Sequence, residues 1–92
     1  MDVPVSHDEA RHRFVATVEG RPCVADYQIR GKVMWMTHTA VPMPLEGRGI
    51  AAELVRSALV FAREHGLKVE PACSYVDAYM RRHPETDDLR AP

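Results

Sequence analysis

Val41-Pro42-Met43-Pro44-Leu45-Glu46-Gly47-Arg48-Gly49-Ile50-Ala51 is the stretch that decides how this chain is read. Before it runs an apolar segment, Val33 to Val41, with the character of a strand. Pro42 and Pro44 stop that strand, because proline has no N–H to give to a ladder. After it an amphipathic helix is expected from Ile50 to His65. Ile50, Leu54, Val55, Ala58, Leu59, Phe61 and Ala62 make one broad apolar stripe, with Glu53, Arg56, Ser57, Arg63 and Glu64 outside it. Between strand and helix lie Gly47 and Gly49. The first N–H groups of a helix have no intrahelical acceptor and carry partial positive charge. A phosphate can accept from several of them at once. Gly47, Gly49, Ala51 and Ala52 leave room for such a ligand, and Arg48 adds a cation. The segment is therefore either a phosphate-binding loop or an ordinary capped entry to a helix.

Spacing removes two phosphate-binding loops. A Walker A loop needs a lysine after its second glycine, and Ile50 stands there. A dinucleotide fingerprint needs a small third position early in a βαβ unit; Ala52 supplies the residue, but the preceding strands read as antiparallel.

Working outward, Arg11 to Val18 reads as a strand with Phe14, Ala16 and Val18 on one face. Glu19-Gly20-Arg21-Pro22 is a turn. Cys23 to Ile29 is the next strand, with Cys23, Ala25, Tyr27 and Ile29 alternating against Asp26 and Gln28. Arg30-Gly31-Lys32 turns the chain into the third strand, completing an antiparallel meander. Beyond the helix, His65-Gly66 is a stop, and Leu67 to Ala72 is a short strand that can run parallel to the third after its helical crossover. A second helix is expected from Tyr75 to Arg82, N-capped by Ser74 and ended by Pro84. Residues 1–10 and 85–92 read as loose ends. The predicted fold is a single α/β (α+β) domain in the order βββ-α-β-α.

Composition narrows the functions. With 92 residues the chain has room for one domain, and 46% apolar against 27% charged residues is the balance of a globular one. A net charge of −1 gives no pull toward nucleic acid or an anionic membrane. No apolar run approaches the ~18–20 residues of a membrane span. Met1-Asp2-Val3-Pro4 does not open a secretory signal. Cys23 and Cys73 lack metal-like spacing, and the five histidines form no zinc motif, so a cytoplasmic protein with free thiols is expected. A monomer or a weak homodimer fits the size.

Two further residues carry chemistry. Cys73 precedes the second helix, and a helix N-terminus favours thiolate over thiol; buried cysteine is also a common core residue. His38, on the third strand with Met34, Met36 and Ala40, is either a base, a role natural to histidine, or a structural residue.

These motifs together resemble the GNAT superfamily of N-acetyltransferases, whose central helix opens on [QR]-x-x-G-x-[GA]. Glu46-Gly47-Arg48-Gly49-Ile50-Ala51 matches its glycine and small residue, with Glu46 where Gln or Arg is usual. The chain is more closely similar to the small NATD1-like, or YjdJ-type, branch. The likeness lies in His38-Thr39-Ala40-Val41-Pro42, Gly47 to Ala51, Pro71-Ala72-Cys73-Ser74-Tyr75-Val76, Tyr79 and His83-Pro84, and it spans nearly the whole chain. The resemblance implies a minimal GNAT-like fold, acetyl-CoA as cofactor and an amine acceptor, either a small molecule or a protein. It places Val41, Gly47, Arg48, Gly49, Ile50, Ala51 and Tyr79 on coenzyme A, and Cys73 beside the thioester, where it either carries the acetyl group or lines the wall. His38 is the first choice of base. Tyr75 and Tyr79 are candidate acids or packing residues; Arg81 and Arg82 reach a CoA phosphate or are simply solvated. Two departures follow: Glu46 should face away from the pyrophosphate, and Ala40 replaces an acidic residue common in relatives. A CoA-binding or interaction module without turnover is the competing reading.

Overall fold

The computed structural model describes residues 3–92. Five strands form one sheet in the order β1 (Ser6–Asp8), β2 (Arg13–Val18), β3 (Arg21–Arg30), β4 (Val33–Ala40) and β5 (Lys68–Pro71). β1 to β4 are antiparallel, and β5 joins β4 in parallel after the crossover through α1 (Ile50–Glu64). α2 (Ser74–Arg82) follows β5. The meander, the parallel fifth strand and both helices stand where the sequence puts them, and the α+β class holds.

Alternation explains the core. Phe14, Ala16, Cys23, Ala25, Tyr27, Met34, Met36 and Val69 are buried on one sheet face, beneath Ile50, Leu54, Val55, Ala58, Leu59 and Ala62 of α1. α2 adds Val76 and Met80 beside α1. No helix among the described residues is long and apolar enough to cross a membrane.

Neither expected loose end is loose among the described residues; Met1 and Asp2 lie outside them. Ser6, His7 and Asp8 pair with Val15, Phe14 and Arg13. The His7 ring stacks on Phe14 at 4.1 Å, meets the edge of Phe61 at 4.5 Å and has its Nε2 2.5 Å from the Tyr27 hydroxyl. An aromatic histidine thus supplies the anchor that the polar composition of the segment concealed. At the other end, Pro84–Leu89 forms a 3₁₀ turn, and Leu89 is buried. The Ala91 N–H donates to the Val69 carbonyl at 2.8 Å, and Asp88 pairs with Arg63 at 2.7 Å. These contacts cover the outer edge of β5, which a free strand would leave unpaired.

Two irregularities shape the centre of the sheet. The first is a bulge in β4. Tyr27 pairs with Met36, but the next pair is Asp26 with His38, so Thr37 is the extra residue. The Thr37 hydroxyl donates to the Asp26 carbonyl at 3.3 Å. The bulge exchanges faces: Thr39, opposite buried Ala25, joins the helix side with Met34 and Met36. His38, opposite Asp26, turns to the exposed face. His38 therefore does not share the face of Met34 and Met36 that strict alternation assigns to it. The second irregularity is a gap. β5 pairs with β4 only as far as Met36 with Pro71. Ala72 N–H then turns back to the Glu70 carbonyl at 3.0 Å, Cys73 N–H takes the Met36 carbonyl at 2.9 Å, and the chain leaves the sheet. Thr37 to Ala40 run on with β3 alone.

Candidate functional site

A cavity of about 500 Å³ opens where β4 outruns β5. It is lined by Thr39, Ala40 and Val41 from the strand end, by Leu45, Glu46, Gly47 and Gly49 from the loop, by Ile50 and Ala51 from α1, and by Tyr75 from α2. The loop takes its shape from a 3₁₀ turn at Met43–Leu45, whose buried Leu45 pins it to the core. Gly47 and Gly49 both have φ near +80°, at 82° and 81°, a region where side chains are costly. A Cβ at either glycine meets no atom within 4 Å, so the space over the loop is open.

Gly49 is the N-cap of α1, and the first helical bond runs from the Glu53 N–H to its carbonyl at 3.1 Å. The N–H groups of Ile50, Ala51 and Ala52 precede that bond and so lack intrahelical acceptors. Ile50 and Ala51 line the cavity, and the macrodipole behind them favours a bound anion. Glu46 is also among the residues that line the cavity.

Of the residues expected on a ligand, Val41, Gly47, Gly49, Ile50 and Ala51 converge here. Arg48 and Tyr79 do not. The Arg48 guanidinium lies 2.6 Å from the Glu19 carboxylate, on the β2–β3 turn, away from the lining. Tyr79 stacks on His83 at 4.1 Å and lines a separate groove of about 300 Å³ between α1 and α2, with Arg56, Leu59 and Val60. Burial raises the pKa of both Tyr75 and Tyr79, so each keeps its proton well above neutrality. Arg81 pairs with Asp77 at 3.2 Å on the solvated face of α2.

Cys73, not Ser74, is the N-cap of α2; Ser74 is the first helical residue. The sulfur is half-buried and 3.6 Å from the Thr39 hydroxyl, which itself lines the cavity. Burial acts to raise the thiol pKa. The Thr39 hydroxyl and the backbone amides of Val76, Tyr75 and Thr39 act the other way, and the net is a value below that of an ordinary cysteine. Cys23, by contrast, is sealed in the core, and burial pushes its thiol up. Thr39 is the residue that sequence reading passed over, because its approach to Cys73 depends on the bulge.

His38 lies across β4 from this pair, on the open sheet face opposite Asp26, which holds Arg13 at 2.9 Å. The structure therefore separates the two expected catalytic residues: Cys73 lies behind Thr39, which lines the cavity, and His38 is beyond the strand.

Known proteins carry the same pattern. The family model for GCN5-related N-acetyl-transferases matches residues 13–89, which run from the first residue of β2 to the end of the C-terminal turn. Protein NATD1 of Gallus gallus is 35% identical over 85 residues, covering 89% of this chain and 77% of that protein. Protein NATD1 of Homo sapiens is also 35% identical over 85 residues, covering 89% and 75%. A GCN5-like protein from Staphylococcus aureus, solved by NMR, superposes with a TM-score of 0.77 at 20% identity, covering 97% of this chain and 88% of that one, so the fold is shared. The family model and the NATD1 relatives agree, and the chain belongs to the GCN5-related N-acetyltransferase family.

Proposed function

We propose that the protein is an acetyl-CoA-dependent N-acetyltransferase acting on an amine, with the cofactor in the cavity between the β4 end and α1. The observation that carries this reading is the cavity itself. Helix N–H groups without intrahelical acceptors, two glycines at positive φ and Thr39 surround one open space, and the half-buried Cys73 sulfur lies 3.6 Å behind the Thr39 hydroxyl.

The donor set fits a diphosphate, since it is made of backbone N–H groups and small side chains. Gly47, Gly49, Ile50 and Ala51 would hold it, and the gap between β4 and β5 would take the pantetheine arm. When bound, acetyl-CoA supplies a thioester carbonyl open to a neutral amine. The backbone around Val41 then serves as an oxyanion-type donor. A proton must also leave the amine. His38 can take it, directly or through water, only from an acceptor that approaches from the open sheet face, because it stands on that side of β4. Direct transfer is the default route, and transfer by way of the Cys73 sulfur is the second. The acceptor is a small-molecule or protein amine.

The test uses Ala51→Leu. Ala51 is helical and faces the cavity, so leucine fills the space without upsetting the helix. In calorimetry, wild type binds CoA and the variant loses affinity by at least about tenfold, a loss of about 1.4 kcal/mol, with an unchanged circular dichroism spectrum. Equal affinity in the folded variant rules the site out. Acetylation of a panel of lysine peptides, N-terminal peptides and polyamines then separates an enzyme from a module that binds CoA without turnover.

A further inference from the structure

Arg48 is the one basic residue of the loop from Pro42 to Ala52, yet it is turned away from the cavity that its neighbours line. Gly47 on one side and Gly49 on the other both have positive φ, so the residue sits between two backbone positions with unusual freedom. Its guanidinium is held by Glu19 at 2.6 Å, and the two side chains are 41% and 62% exposed. Glu19 is itself at a φ of 51°, in the tight turn between β2 and β3. While this pair is made, the loop's cation is neutralised. The other charged residues near the helix start do not replace it: Glu46 is acidic, and Arg56 is already paired with Glu53 at 2.9 Å.

An exposed ion pair of this kind is weak, because both partners are well solvated whether or not they touch. A guanidinium on a phosphate gains more, since the fork can make two charge-assisted hydrogen bonds to one group. Glu19 is therefore a partner that an arriving phosphate can displace.

We propose that Glu19 competes with the diphosphate of the ligand for Arg48, and so sets both the affinity of the site and its preference for phosphorylated ligands. Arg48 exchanges partners when the diphosphate settles on the loop. Glu19 is a positioning residue that touches no reacting atom. The inference rests on the loop being the CoA site.

The experiment is a double-mutant cycle read by calorimetry, with CoA and with pantetheine, which lacks the phosphates. Glu19→Gln should tighten CoA binding about two- to fivefold and leave pantetheine unchanged. The gain should shrink as salt is raised. Arg48→Gln should weaken CoA binding, and adding Glu19→Gln to it should then do nothing. Glu19→Gln that weakens CoA, leaves it unchanged, or tightens it equally without Arg48 overturns the competition. Wild type that binds no CoA at all overturns the reading of the loop, and this inference with it.

Discussion

Thr39→Val removes the hydroxyl beside Cys73 and keeps the volume and β-branching of the side chain. In wild type the hydroxyl oxygen is 3.6 Å from the sulfur, within reach of a sulfur hydrogen bond. Hydrogen bonds to charged groups contribute about 1.5–3 kcal/mol. The low end applies here, because the contact is long and the half-buried site lets water compete. At about 1.4 kcal/mol per factor of ten, the thiolate population at neutral pH falls about tenfold. The fall is not complete, since the amides of Val76, Tyr75 and Thr39 still favour the charged form. The assay is the rate of iodoacetamide alkylation of Cys73 against pH, followed by peptide mass mapping. Cys23 is an internal control: it is fully buried, its thiol is pushed up, and it should react slowly in both proteins. Wild type should alkylate at lower pH than the variant. Identical rates and midpoints in the two proteins would show that Thr39 does not tune the thiol, leaving Cys73 as wall.

Three other outcomes are expected. His38→Gln should bind CoA normally but lose about 10²-fold of kcat/KM; a variant that keeps the full rate hands the proton to solvent. His7 is held below its ordinary value of 6.5, chiefly by burial, so the unfolded chain takes up the proton first. Its contribution to stability is therefore full above 6.5 and is lost as pH falls through 6.5 toward the lowered native value. Wild-type Tm should drop between about pH 7 and pH 5, and His7→Phe, which keeps the ring packing, should flatten that slope; equal slopes would remove His7 from the effect. Leu89→Ala deletes a side chain only 5% exposed in the C-terminal turn and should cost about 2–3 kcal/mol in urea unfolding. A loss below about 0.5 kcal/mol would mean the turn is not docked.

The sequence exposes the parts of this fold whose signals are periodic. α1 is expected to begin at Ile50 and does, because its apolar stripe and the Gly49 cap coincide. The β5 crossover is legible in part for the same reason: a short strand after a helix can return parallel to β4, and it does. The termini are not legible, because they are held by contacts rather than by pattern. Ser6–Asp8 has no alternation to betray a strand; its anchor is one ring lying among Phe14, Phe61 and Tyr27. The C-terminal turn is held by one leucine, a backbone bond to Val69 and an ion pair to Arg63. Such long-range contacts exist only once the sheet and α1 have formed.

The candidate site divides along the same line. The loop from Gly47 to Ala51 can be read locally, since glycine spacing and a helix start are both sequence features, and five of the expected ligand positions meet in one cavity. What surrounds the loop cannot be read that way. Arg48 is claimed by a glutamate 29 residues away, which no local pattern reports. The faces of β4 depend on a single extra residue. With unbroken alternation, His38 would lie inward with Met36 and Thr39 outward. The bulge at Thr37 reverses them. That reversal carries a chemical consequence. A hydroxyl, rather than an imidazole, is brought to the Cys73 sulfur on the helix side, while the imidazole is set on the open side of the same strand. The two groups are then divided by the strand, so under the proposed function a thiol-assisted step and a proton-accepting step would fall on opposite sides of β4. On that proposal, an amine that used both would have to reach the acetyl carbon through the gap that β5 leaves when it turns away at Pro71.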